Sequence, residues 1–308
     1  MFPSLFRLRT SAEIALGLIL VISLGIRLCF ARFYLPSGDT VVEYYPAVLN
    51  IVENLSVGYP IWQEWHVRLG LILPMALTQW LSQSALIAIP AMALFFSTLQ
   101  TALVFYLGRI LWNPSVGLVA AGLDTMHPLN LLWSTQALPD PVLACCSTAA
   151  LLFFVLGQRS GSLLHFALAG ACVGAAYTAK VSGLFTLPIF CLLWFFTNHN
   201  RSPSQLVALG FGAFAVLVLE TLTLSYLGEQ FIARPLLLLN KSSNIYSDSP
   251  EHIAIGFDRY FPGFLASQFW PFDRGFPFHA FFGPFALYFA VSALSRPGRA
   301  SMAERTVA

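Results

Sequence analysis

Apolar residues along this chain gather into long runs separated by short polar breaks. A helix needs roughly 20 apolar residues to cross a hydrocarbon core of about 30 Å. Runs approaching that length lie at about 12–33, 86–108, 115–135, 141–157, 163–180, 181–197, 205–227 and 279–295. The pattern predicts an all-α polytopic membrane protein with about eight transmembrane helices, a single transmembrane domain over residues 1–308. A ninth stretch, VRLGLILPMALTQWLSQ at 67–83, is shorter, holds Pro74 near its middle and carries Arg68 and Gln79. The positive-inside rule arbitrates. If 67–83 does not span, Arg109, Arg159, Arg201 and the tail with Arg296, Arg299 and Arg305 share the cytoplasmic side with both termini. If it spans, Arg109 and Arg159 move outside. Residues 34–85 are therefore expected to form one outer loop whose amphipathic helices lie along the membrane surface. The first run follows Arg7 and Arg9 as a signal peptide would, but it is too long for one and is expected to remain as an anchor.

Composition narrows the class further. Hydrophobic residues make up 57% of the 308 and charged residues 10%, where soluble domains carry about 25% charged. Most of the surface must therefore face membrane lipid. A net charge of +2, with basic residues scattered singly, speaks against nucleic acid as a partner. Cys29, Cys145, Cys146, Cys172 and Cys191 all fall in apolar runs, where cysteine behaves as a small hydrophobe. No glycine-rich phosphate loop occurs, so a nucleotide sugar or similar soluble nucleotide is not an expected direct ligand. From Gly228 to Phe278 runs a second outer loop, so rich in Phe, Trp and Pro that it should lie in the interface as an aromatic belt.

With that topology, charges of both signs collect at one water-facing boundary. The stretch YLPSGDTVVEYYPAVLNIVENL, directly after the first span, supplies Asp39 and Glu43 and then a segment of helical apolar spacing. Glu64, His66 and Arg68 follow in the same loop, Asp140 comes from STQALPDP, Lys180 from AAYTAKVSG, and Glu220 from VLVLETLTL. An ionisable group at the centre of a span costs about 2.5–3.5 kcal/mol on insertion scales, so such groups mark cavities or pathways. An outward-facing cleft accounts for this set. Asp124 and His127, three residues apart on one helix face nearer mid-membrane, are expected to form a buried hydrogen-bonded pair.

Four stretches, SGDTVVEYYPAVLNI, WHVRLGLILPMAL, HPLNLLWSTQALPDPVLA and GACVGAAYTAKVSGL, in this order and on this side, resemble the GT-C glycosyltransferases that use polyprenyl-phosphate sugars. The protein O-mannosyltransferases and lipid A aminoarabinose transferases are the most similar branch. The resemblance implies a GT-C-like fold and an inverting glycosyltransferase that moves a sugar from a polyprenyl-phosphate lipid to an acceptor on the outer face of a bacterial-type inner membrane. It implies Asp39 and Asp140 as catalytic carboxylates, Asp39 as the base or as the group orienting the acceptor nucleophile, Lys180 and Arg68 as cations for the donor phosphate, and Glu43, Glu64, His66 and Glu220 as further cleft residues. No cofactor is firmly implied; Glu64 and His66 are candidates for a divalent metal ion. Family members commonly continue beyond the point where this chain ends. That implies a minimal enzyme, or a partner subunit supplying the missing C-terminal half. The alternative from another class is a non-catalytic GT-C-like subunit or a transporter. Transporters place charges near the midplane on broken helices, whereas most charges here crowd the outer edge.

Overall fold

The computed structural model describes residues 3–31, 44–56, 68–136, 138–197 and 202–228, which belong to one compact unit, Met1–Arg234. Ten α-helices are formed among these residues: α1 (Pro3–Ala31), α2 (Tyr45–Asn54), α3 (Leu69–Ser82), α4 (Ala85–Leu111), α5 (Pro114–Met126), α6 (Pro128–Trp133), α7 (Pro139–Ser160), α8 (Leu163–Ala179), α9 (Thr186–Thr197) and α10 (Pro203–Leu227). A 3₁₀ turn, Val181–Phe185, joins α8 to α9. The protein is an all-helical polytopic membrane protein, and four of its described helices (Ser11–Ala31 of α1, α4, α7 and α10) are long and apolar enough to span. The 279–295 run and the 228–278 loop beyond Gly228 lie outside the described residues.

Two expected spans differ from the pattern. The 115–135 run is two helices, broken at His127. Pro128 opens α6, and a residue before proline is driven out of the helical region; His127 accordingly sits at φ −67°, ψ 119°. The 181–197 run begins with the 3₁₀ turn before α9 continues it.

Contacts between helix ends give the relative sidedness. Arg109, in the last turn of α4, pairs with Glu13 near the start of the apolar part of α1 at 3.4 Å. α1 and α4 are therefore antiparallel, and the chain between them leaves and returns at the same end of the bundle. α2 and α3, at about 15 and 21 Å for their lengths, are both too short to cross. α4 and α5 form a tight hairpin in which a Cβ at Gly108 would stand 2.9 Å from the Gly117 Cα. α7 and α8 form another, turned by Gly161 at φ +67°, a backbone state that glycine adopts without steric cost.

α10 packs on α8 in parallel. Gly170 and Gly174, spaced as Gly-x-x-x-Gly, face Leu209 to Val216, while Gly212 faces Ala167 and Ala171. A Cβ at Gly170 would overlap the Leu209 carbonyl oxygen and one at Gly212 the Ala167 carbonyl oxygen. Small residues admit this close backbone approach, which drives helix association where lipid offers no hydrophobic effect. The start of α7, the end of α8 and the end of α10 thus come to one end of the bundle.

Candidate functional site

That end holds the clearest polar constellation. Asp140 lies in the first turn of α7, between Pro139 and Pro141, where the helix dipole favours a carboxylate. It does not cap the helix: Leu138 is the N-cap and makes no side-chain cap bond. Instead the Asp140 Oδ1 accepts from the Lys180 Nζ at 2.9 Å. Lys180 terminates α8 in extended backbone, φ −151°, so its side chain is free of the helix and reaches across to α7. Both partners keep contact with their surroundings, with side chains 38% exposed at Lys180 and 22% at Asp140.

α3 begins against this pair. A Cβ at Gly70 would stand 2.7 Å from the Ala179 amide nitrogen and overlap the Thr178 hydroxyl, so the start of α3 rests on the last turn of α8. Arg68 is the N-cap residue of α3 and is buried. Its guanidinium donates to the Tyr44 hydroxyl at 2.8 Å and lies 5.9 Å from the centre of that ring. One residue on, the Tyr45 hydroxyl donates to the Gln79 Oε1 at 3.1 Å. Partial burial, and then the neighbouring Glu53, push the Tyr45 phenol above its ordinary range, so it keeps the proton it donates. The two tyrosines fasten α2 to α3, with Ala47, Val48 and Ile51 on the buried face of α2. The spacing after Asp39 predicts such a helix with one apolar face.

The expected site residues divide as follows. Asp140, Lys180 and Arg68 come to one end of the bundle, the first two in direct contact. Glu220 is buried on α10, one turn beyond the Val216 that packs on Gly174. Asp39, Glu43, Glu64 and His66 lie outside the described residues. Among the described residues, no three His, Cys, Asp or Glu side chains are grouped to hold a metal ion.

A second polar cluster, centred on Asp124, sits deeper and is wider than the expected pair. Asp124 on α5 accepts from the Thr101 hydroxyl at 2.6 Å, the Asn130 Nδ2 at 3.0 Å and the Gln100 Nε2 at 3.3 Å. Arg27 of α1, wholly buried, lies 3.8 Å from the same carboxylate and donates to Thr101 and to Ser23. The expected neighbours Asp124 and His127 thus belong to a wider network, the His127 amide donating to the Asp124 carbonyl at 3.4 Å. His127 also caps α6, its Nδ1 accepting from the Asn130 backbone amide at 3.4 Å. The signal that would have found the cluster is Arg27 itself, an arginine inside the first apolar run.

Residues 75–224 match the dolichyl-phosphate-mannose-protein mannosyltransferase family. The match begins within α3 and runs almost to the end of α10, taking in Asp124, Asp140, Lys180 and Glu220. It bears out the resemblance to the GT-C glycosyltransferases. No curated protein matches the chain.

Proposed function

A membrane glycosyltransferase of the GT-C type is what residues 75–224 support, and from that premise we propose that the protein transfers a sugar from a polyprenyl-phosphate lipid to an acceptor on the outer face of the membrane. The observation that carries this reading is the Asp140–Lys180 pair at the end of the bundle where α3 also delivers Arg68. A lysine held at a membrane edge by a carboxylate, yet still partly open, is suited to meet a lipid phosphate. In the reaction, an acceptor hydroxyl loses its proton to Asp39 and attacks the anomeric carbon. The bond from that carbon to the phosphate oxygen breaks on the opposite side, with inversion, and the phosphate stays on the lipid. Charge building on the departing phosphate is taken up by Lys180, with Arg68 as the second cation. Asp140, its carboxylate committed to the ammonium, aims Lys180 rather than acting as base. Asp39 is five residues before Tyr44; chain length alone keeps the two Cα atoms within about 18 Å, and Tyr44 is tied to Arg68.

Donor binding tests the cations directly. Charged hydrogen bonds contribute about 1.5–3 kcal/mol, and 1.4 kcal/mol is tenfold in affinity. Lys180→Ala is therefore expected to weaken binding of a polyprenyl phosphate by about 10- to 100-fold. Arg68→Ala should weaken it too, with α2 loosened through the lost Tyr44 contact. Unchanged lipid affinity in a folded Lys180→Ala protein would remove the assignment.

Orientation follows from charge. Arg109 and Arg159 end α4 and α7 at the bundle end opposite Lys180, and the positive-inside rule places that end, with the termini, in the cytoplasm. In a variant with the exposed Cys29 and Cys191 replaced, cysteines introduced at positions 110 and 160 should react only with reagents that enter the cytoplasm of a bacterial host. Labelling of either by an impermeant reagent from outside would reverse the orientation and the side of transfer.

A further inference from the structure

The cluster around Asp124 takes no part in the chemistry proposed above, yet it joins four helices, α1, α4, α5 and α6, at the point where the polypeptide is broken. Asn130 Nδ2 donates both to the Asp124 carboxylate at 3.0 Å and to the Asp124 backbone carbonyl at 3.1 Å. These bonds bridge the interruption at His127 and tie α6 back onto the last turn of α5. The carboxylate is in turn held by Thr101 and Gln100 of α4 and faces Arg27 of α1. Thr101 is itself fixed, its hydroxyl proton shared between Asp124 and the Ser97 carbonyl while its oxygen accepts from Arg27.

α6 is only six residues long, and Asp140 lies seven residues past its end, in the first turn of α7. A segment so short has few backbone hydrogen bonds of its own, and its direction is set by what holds its first turn. We infer that the Arg27–Asp124–Asn130 cluster is a positioning device that fixes the α5–α6 break and thereby the α6–α7 turn presenting Asp140 to Lys180. Thr101 is the joint between the α1 and α5 halves of the clamp. Its bearing on sugar transfer rests on the transferase reading, whereas the effect on the turn does not.

The test is a distance measurement on the full chain in lipid nanodiscs, with Cys29 and Cys191 replaced. Spin labels at Leu81 and Gln136 report the end that carries Asp140, and labels at Ser115 and Ser160 report the opposite end. Asn130→Ala, and separately Arg27→Met with Asp124→Leu, should at least double the width of the Leu81–Gln136 distance distribution and leave the Ser115–Ser160 distribution unchanged. Thr101→Ser keeps the hydroxyl and should leave both pairs as in the wild type, while Thr101→Val should broaden the first. A Leu81–Gln136 distribution that stays narrow in either the Asn130 variant or the double variant overturns the inference. Equal broadening at both ends also overturns it, because the cluster would then serve general stability alone. If transfer is measurable, Asn130→Ala should lower kcat and raise the donor KM, as Asp140→Asn does, since a displaced Asp140 aims Lys180 less well. Absence of any transfer in the wild type would count against the transferase reading and leave the distance result to decide this one.

Discussion

Asp39→Asn should slow sugar transfer by about 10² to 10⁴, the usual span for loss of a general base. The substitution preserves size and hydrogen-bonding reach but removes the proton acceptor, so binding of the lipid donor should survive. Asp140→Asn is expected to reduce turnover less. Its carboxylate reaches Lys180 at 2.9 Å, and an amide oxygen can still accept from the ammonium, though without the charge. The two variants should also differ in kind: loss at Asp39 appears in kcat, while loss at Asp140 appears partly in donor affinity through a less well-aimed lysine. The assay follows transfer from purified polyprenyl-phosphate sugars to membrane and peptide acceptors, with thermal unfolding measured alongside. A folded Asp39→Asn protein that transfers at the wild-type rate would remove Asp39 as the base. A wild type that transfers nothing across a broad panel while still binding polyprenyl phosphate would favour a non-catalytic subunit, with catalysis requiring a partner chain.

The parts of this fold that were legible in the sequence are those where one physical rule acts alone. The runs at 86–108 and 205–227 fall inside α4 and α10 because length and apolarity suffice for a spanning helix. The distribution of Arg109 and Arg159 kept residues 67–83 out of the expected membrane count, and the antiparallel packing of α1 and α4 brings the end of α1 and the start of α4 to the same end of the bundle. Meeting of Asp140 with Lys180 could be expected only once sidedness was known, since 40 residues separate them.

What was missed depends on two rules competing. In 115–135, hydropathy favours one helix, but Pro128 withdraws a backbone N–H and excludes His127 from helical backbone, and the local rule prevails. Arg27 escaped notice because the apolar run around it, with Leu24 and Ile26 before and Leu28 to Ala31 after, dominates any window drawn there. Its partner on α5, nearly a hundred residues away, could be recognised only after the helices were assembled. Arg68 was expected as a cation for the donor phosphate; its buried contact with Tyr44 is one that no spacing argument across an irregular loop could supply.

Arg27 and Asp124 also carry the largest expected effect on stability. Arg27 is wholly buried in the bundle, and its charge is offset by one carboxylate 3.8 Å away and by the hydroxyls of Thr101 and Ser23. Removing one member of a buried pair leaves the other uncompensated, at a cost of about 3–5 kcal/mol, whereas replacing both with apolar residues of similar volume is often close to neutral. Asp124→Leu alone is therefore expected to lose about 3–5 kcal/mol in reversible unfolding from mixed micelles. Arg27→Met combined with Asp124→Leu should recover most of that loss, leaving about 1–2 kcal/mol from the Gln100 and Asn130 amides that lose an acceptor. A double variant as unstable as the single would mean that the carboxylate's neutral hydrogen bonds, not its pairing with Arg27, hold the cluster. Recovery of stability without recovery of a narrow Leu81–Gln136 distance would separate the two roles of Asp124: its charge serves to keep Arg27 buried, and its oxygens serve to aim the turn before Asp140.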